Sequence, residues 1–360
     1  MTRPARAWLS ASALLNNLQR VRHYALDARV MAIVKANGYG HGLTWAAQVL
    51  QDADGFGVAS ADEGIRLREI EVKQPITLLE GFFQPTELPL LKQHQLSPAI
   101  HHESQLWNLE HTPDAGPLDV WVKIDTGMHR LGFSPEALPD VLQRLKVCSA
   151  VQNVGVMTHF ANADNKFDAS TKVQTELFIA LTREVQAQRS LANSAGIVAW
   201  PASHGDWVRP GIMLYGASPV IGLSAAALQL KPVMTLQTEI IAINRRRKGE
   251  VVGYGGDWMC PEDMPVGIAA IGYGDGYPRH APPGTPVLVQ GQRVPLIGRV
   301  SMDMITLDLR ARPDTRIGDP VTLWGDGLPV EEIAERSGTI AYELLCCVTE
   351  RVPRCPAPVS

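Results

Sequence analysis

From residue 30 to about residue 216, short apolar runs alternate with stretches whose apolar positions recur every three or four residues. The first pattern predicts buried strands, the second amphipathic helices packed on them. Eight runs fall at 30–36, 55–59, 75–80, 96–101, 118–124, 154–160, 190–194 and 207–216. Helical patterns between them include 43–50, 61–70, 87–94, 135–145 and 171–186. Eight strand–helix repeats in roughly 200 residues predict an α/β fold of the TIM type, a (β/α)8 barrel. A doubly wound sheet competes with it, and strand count alone does not separate the two. Ahead of the repeats, 5–9 reads as a strand. A helix follows, capped by Ser10 or Ser12 and carrying Leu14, Leu15, Leu18 and Val21.

After Pro219 the pattern changes to strands and turns. Strands are predicted at 234–244, 267–273, 287–289, 293–309 and 320–324, with turn signals at Gly291-Gln292 and Gly325-Asp326-Gly327. Two short helices, 330–336 and 340–348, close the region. The chain therefore divides into a barrel, 1–228, and a mainly β domain, 229–360, with the boundary in the small-residue stretch 222–230. The first strand is a candidate to pair with the second domain.

Composition narrows the setting. The chain has 360 residues, enough for a barrel plus a smaller domain, and 45% are hydrophobic. Net charge is −4 without a one-sided excess, which argues against nucleic acid or an anionic membrane as partner. The Arg245-Arg246-Arg247-Lys248 run precedes Gly249 and reads as a solvated hairpin end. Five cysteines with no C-x-x-C pair fit free thiols in a reducing compartment. With no secretion signal and no apolar run near 18 residues, a cytoplasmic location is expected. His101-His102-Glu103 has metal-binding residue types, but its spacing suits no helical face. It reads as a solvated loop, and no metal is expected.

The chemistry centres on Ala32-Ile33-Val34-Lys35-Ala36-Asn37-Gly38-Tyr39-Gly40-His41-Gly42. Lys35 ends the first apolar run of the repeats, where barrel enzymes keep reactive groups. A lysine amine near apolar walls can lose its proton and bond covalently to an aldehyde. The glycines beside it let backbone approach a ligand closely. A solvent-facing lysine is the plain alternative.

This stretch resembles the cofactor-lysine motif of bacterial alanine racemases, and further motifs follow in that family's order. They are Lys123-Ile124-Asp125-Thr126-Gly127-Met128-His129-Arg130, Val156-Met157-Thr158-His159-Phe160, Asn193-Ser194 and Trp207-Val208-Arg209-Pro210-Gly211-Ile212. In the second region they are Val252-Gly253-Tyr254-Gly255-Gly256, Ile271-Gly272-Tyr273-Gly274-Asp275-Gly276-Tyr277, Gly298-Arg299-Val300-Ser301-Met302-Asp303 and Ile340-Ala341-Tyr342-Glu343-Leu344.

The resemblance implies pyridoxal 5′-phosphate (PLP) carried on Lys35. It implies two catalytic bases, Lys35 and Tyr254, one for each face of the substrate. Tyr39, Ser194, Tyr342 and the Gly211 and Ile212 amides would hold the phosphate. Arg209 would face the pyridine nitrogen and His159 the ring. Arg130 and the Met302 backbone would bind the substrate carboxylate, while Tyr273 narrows the entrance. The residues alone do not choose between Tyr254 and Tyr273, since glycines expose both. Lys123 matches a lysine often carbamylated in the family. Because the family's catalytic tyrosine comes from a second subunit, a homodimer is implied. The function implied is interconversion of L- and D-alanine, either supplying D-alanine to the cell wall or degrading it. A broad-specificity racemase or a barrel-type PLP decarboxylase is the alternative. A non-enzymatic PLP-binding barrel would lack the second domain.

Overall fold

A computed structural model describes residues 3–357. Eight parallel strands close into a barrel: β2 (Arg29–Ile33), β3 (Gly55–Val58), β4 (Ile76–Leu78), β5 (Leu96–Ile100), β6 (Leu118–Lys123), β7 (Val151–Met157), β8 (Gln188–Asn193) and β9 (Trp207–Arg209). The last pairs with the first through Arg29↔Trp207 and Val30↔Val208, which rules out the doubly wound sheet. β2, β3 and β4 are buried along nearly their whole length, so they read as continuous apolar runs rather than alternating ones, whereas β7 is exposed at Gln152 and Asn153.

β1 (Arg6–Leu9) lies outside the barrel. It pairs antiparallel with β10 (Met234–Arg246) and parallel with β18 (Arg354–Pro356). The helix that follows, Ala11–Tyr24, starts at Ser10, whose Oγ accepts a hydrogen bond from the Ala13 amide at 3.2 Å. Such a cap is worth about 1 kcal/mol. Leu14, Leu18 and Val21 face the core, but Leu15 points outward.

The remaining strands are β11 (Val251–Val252), β12 (Trp258–Met259), β13 (Met264–Ala269), β14 (Pro286–Val289), β15 (Gln292–Ile297), β16 (Ile305–Asp308) and β17 (Pro320–Trp324). They form a small two-stranded ribbon, β11–β12, and one sheet in the order β13-β16-β15-β14-β17-β10-β1-β18, with β10 also pairing β13. Helices Val330–Arg336 and Ala341–Cys347 follow. The Arg247-Lys248 turn after β10 is solvated, as a hairpin end should be.

Several predicted strands run too far, and each overrun falls at the same kind of place. β2 stops at Ile33, so Lys35 lies beyond the strand, on a turn. β7 spans Val151–Met157 rather than 154–160, leaving His159 past its end. β8 stops at Asn193, whose side chain caps the helix Ser194–Ala199. β9 stops at Arg209 and a 3-10 turn, Ile212–Tyr215, takes over. β13 ends at Ala269, and Tyr273 opens a second 3-10 turn, Tyr273–Asp275. The run at 293–309 is two strands, so Met302 sits on the turn between β15 and β16 rather than on a strand. Apolar composition continues through these turns because they are packed, and hydrophobicity does not register a change of backbone direction. His101-His102-Glu103 opens a helix, Glu103–His111, with His102 Nδ1 accepting the Ser104 amide. The tail after Arg354, featureless in sequence, supplies β18.

Candidate active site

The turn after β2 has an unusual backbone. Ala36, Asn37, Gly38, Tyr39 and Gly40 all have positive φ, at 53°, 54°, 61°, 50° and 79°. L-residues in this left-handed region cost about 1–2 kcal/mol each, and runs of them are rare. Gly40 is required twice over, because a Cβ there would also collide with the Leu345 carbonyl of helix Ala341–Cys347. The Ala36 amide donates to Glu63 Oε1 at 2.8 Å, and the Leu43 amide donates to Asn37 Oδ1 at 2.9 Å. The turn swings Lys35 and Tyr39 into the C-terminal mouth of the barrel, the end at which such barrels carry their reactive groups.

There they line a cavity of about 490 Å³. Its walls include Lys35, Tyr39, Lys123, Arg130, His159, Ser194, Arg209, Gly211, Ile212 and Tyr342, along with Ile33, Leu79, Leu131 and Met157. Four cations face it, Lys35, Lys123, Arg130 and Arg209, and Glu80 is the single carboxylate in the lining. Such a cavity favours an anion. Glu80 ends the predicted third run, and that strand-end position is the signal that marks it in the sequence.

Each wall has a local cause. Arg209 is buried at the end of β9, where Nη1 donates to Ser190 Oγ at 2.6 Å. Its Nη2 donates to the Thr158 carbonyl at 2.5 Å and lies 3.4 Å from His159 Nδ1. Asp206, the nearby carboxylate, instead accepts the Arg189 amide at 2.7 Å. Burial lowers the Arg209 pKa to about 10, still above neutrality, so the guanidinium stays charged. His159 is pushed well below its ordinary value by burial and then by Arg209, Lys123, Arg130 and Lys35, which makes it a neutral imidazole. Lys123, at the end of β6, is lowered to about 8 by burial and by the neighbouring Arg209, Arg130 and Lys35.

Arg130 follows a loop shaped by Asp125. Its Oδ1 accepts the amides of Gly127, Met128 and His129 at 3.0, 3.1 and 3.0 Å. Ser194 Oγ accepts the Gly211 amide at 2.8 Å and the Met213 amide at 3.4 Å, so a hydroxyl and the start of a turn meet at one point. Gly211 is tightly placed, since a Cβ on it would collide with the Tyr39 hydroxyl. Burial raises the Tyr342 phenol to about 12 and that of Tyr39 higher still, so both are hydrogen-bond donors at neutral pH. Tyr39 stacks on Tyr215 with ring centres 4.7 Å apart, and the Tyr215 hydroxyl donates to the Ile33 carbonyl at 3.0 Å. Tyr215 and His41 support this wall without lining it; His41 stands within the motif 32–42, while Tyr215 is marked only by its apolar run.

Three predicted site residues lie outside this cavity. Tyr254 is 68% exposed, Tyr273 39% and Met302 52%, all on turns of the β domain. Two of these turns are tied together: the Tyr273 and Gly274 amides donate to the Ser301 and Met302 carbonyls at 3.0 and 2.8 Å. No group of three or more metal-ligating side chains occurs among the described residues, and no helix there is long and apolar enough to cross a membrane.

Known proteins resemble this chain over nearly its whole length. Residues 9–219 match the family model for the alanine racemase N-terminal domain, and residues 233–356 match that for the C-terminal domain. An alanine racemase of Nitrosococcus oceani is 54% identical over 349 residues, which are 97% of this chain and 98% of that one. One of Coxiella burnetii is 50% identical over 355 residues, 97% of each chain. The crystal structure of the biosynthetic alanine racemase from Pseudomonas aeruginosa superposes with a TM-score of 0.97 at 44% identity, covering 99% of this chain and all of that one.

Proposed function

The chain belongs to the alanine racemase family, whose reaction interconverts L- and D-alanine, and we propose that it works with PLP in the barrel-mouth cavity and two bases, Lys35 and Tyr254. The observation that carries the cofactor is the charge balance of the cavity, four cations against Glu80. When bound, PLP supplies an electron sink that makes the Cα proton of an attached amino acid acidic enough to remove. Lys35 would hold its aldehyde carbon covalently. The hydroxyls of Tyr39, Ser194 and Tyr342 and the amides of Gly211 and Ile212 would hold its phosphate, and His159 would lie against its ring.

The chain's own groups then divide the work. The Lys35 amine would take or return a proton on one face, and the Tyr254 phenolic oxygen would do so on the other, accepting as phenolate and returning as phenol. The planar fork of Arg130 suits the substrate carboxylate, helped by the Met302 amide. Tyr273 narrows the way in, which favours a methyl side chain. Arg209 keeps its protons at neutral pH, so toward a pyridine nitrogen it would act as a hydrogen-bond donor and not as an acid, which would limit charge delocalisation into the ring and suppress side reactions such as transamination. Lys123, with its pKa near 8, has a neutral fraction open to addition of carbon dioxide. The resulting carbamate would be an anion able to hold Arg130.

Exposure of Tyr254, Tyr273 and Met302 outside the cavity supports a homodimer in which each site takes these residues from the second copy. Five unpaired cysteines support a cytoplasmic home. Likeness to the biosynthetic Pseudomonas aeruginosa enzyme supports supply of D-alanine for the cell wall rather than its breakdown. The relatives do not favour a broad-specificity racemase or a decarboxylase, and Cys260, buried beside Val252 and Met264, stands in no decarboxylase-like motif. The presence of the β domain argues against a non-enzymatic barrel. The test is direct: PLP-loaded protein should racemise L-alanine faster than L-serine and show a visible cofactor band. A protein that takes up no PLP would overturn the reading.

A further inference from the structure

Resting on the cofactor reading of the cavity, we propose that His41 and Arg354 are positioning residues. They fasten the left-handed turn 36–40 from two sides and so fix Lys35 and the Tyr39 hydroxyl at the cavity wall. The turn has bonds of its own, from the Gly40 amide to the Ala36 carbonyl at 3.1 Å and from the Gly42 amide to the Asn37 carbonyl at 2.8 Å, but its backbone stays in a disfavoured region. Gly38 and Gly40 adopt positive φ freely, but Ala36, Asn37 and Tyr39 do not. A conformation that its own residues disfavour persists only where surroundings over-determine it.

His41 supplies one fastening. It is fully buried, and Nδ1 lies 3.1 Å from the Gly38 carbonyl and 2.9 Å from the Tyr39 carbonyl. Both partners are acceptors, so Nδ1 carries the proton and donates to both. Nε2 is buried with no partner, as suits a neutral ring, and burial favours that neutral state. The ring also packs on Tyr215, with centres 4.6 Å apart, and Tyr215 in turn stacks on Tyr39. An apolar side chain could fill the same space; what the imidazole adds is the donor.

Arg354 supplies the other fastening, from β18 of the second domain. Its Nε donates to the Gly40 carbonyl at 3.0 Å. The rest of the guanidinium gathers the carbonyls of Thr349, Val352 and Val348 at 2.8, 3.0 and 2.6 Å. These bonds set the arginine by the β domain, so the reactive turn is tied to both halves of the fold. The Tyr39 hydroxyl occupies the space that a Cβ on residue 211 would need, so glycine there admits it and places it against the Gly211 backbone.

The test compares PLP-loaded wild type with His41→Leu, which keeps bulk and loses the donor, and His41→Asn, which keeps an amide N–H near the Nδ1 position. Arg354→Met removes the second fastening. The readouts are the rate of PLP release, the visible circular dichroism of the bound cofactor and the melting temperature of cofactor-free protein. His41→Leu should release PLP at least about tenfold faster and alter the dichroism, while His41→Asn recovers most of both, the scale expected for one or two buried hydrogen bonds. Arg354→Met should move in the same direction by about threefold or more. Wild-type release with unchanged dichroism in His41→Leu would overturn the proposal. So would equal impairment of the Leu and Asn variants, or a fall in melting temperature with no faster release. If His41→Leu does not fold, Arg354→Met decides by the same readouts. A wild type that takes up no PLP would instead overturn the cofactor reading, and this inference with it.

Discussion

The barrel mouth and the turns of the β domain are built on different terms. At the mouth, strand ends converge, Lys123 and Arg209 are buried, and several side chains are held in place: Arg209 by Ser190 and Thr158, Ser194 by two amides, Tyr39 by a stack on Tyr215. On the β domain, Tyr254 and Tyr273 stand on glycine-rich turns and Met302 on the turn between β15 and β16, all three open to solvent. One region draws its lining together within a chain, and the other leaves its side chains open to solvent. The difference is the one the proposed function calls for: a cationic barrel mouth that would hold an anionic cofactor, and a Tyr254 whose exposure would let it serve a neighbouring copy.

The sharpest way to break this comparison is at Lys35. Lys35→Ala should remove the visible cofactor band and lower racemisation by about 10⁴-fold or more, since a base and the covalent attachment go together. A normal absorption spectrum in that variant would take Lys35 out of the cofactor role. Tyr254→Phe should slow the L-to-D direction by about 10²-fold or more while PLP binding stays at the wild-type level. If Tyr273→Phe proves the more damaging change, the two tyrosines exchange roles. Mixing Lys35→Ala chains with Tyr254→Phe chains then asks whether the halves belong to different copies. Random pairing into two-fold dimers should restore about a quarter of wild-type activity, because half the dimers carry one intact site of two. No recovery in a demonstrated mixed dimer would put both bases in one chain.

The smallest effect concerns Lys123. Its folded pKa, about 8, lies below that of a free lysine, so the protonated form is the one disfavoured by folding. The unfolded chain binds more protons between these two values, and stability therefore rises with pH across that window. Cofactor-free wild type, kept free of carbon dioxide, should gain resistance to urea from pH 8 to 10 by up to a few kcal/mol, and Lys123→Met should flatten the slope. An identical slope in the variant would remove Lys123 as its source.

Much of this molecule was legible in its sequence. Apolar runs spaced by amphipathic stretches foretold a barrel, because strands covered on both faces must be apolar throughout. Motif order carried Lys35, Arg130, His159, Ser194 and Arg209; Lys35, His159 and Ser194 stand at the ends of predicted runs, Arg130 lies beyond one and Arg209 early in the last, and in the fold all five meet around one cavity. The strand limits were not legible, because the turns bearing Lys35, His159, Tyr273 and Met302 are as apolar or glycine-rich as the strands beside them.

What only the tertiary structure decided involves partners far apart in the chain. Closure of β9 on β2, the pairing of β1 with β10 and β18, and the reach of Arg354 to Gly40 depend on three-dimensional register, which no local pattern encodes. The charge states at the site have the same origin. Sequence names Lys123, His159 and Arg209, but only burial of these cationic and titratable groups within one cavity lowers their proton affinities, because desolvation and like-charge repulsion act through space and not along the chain.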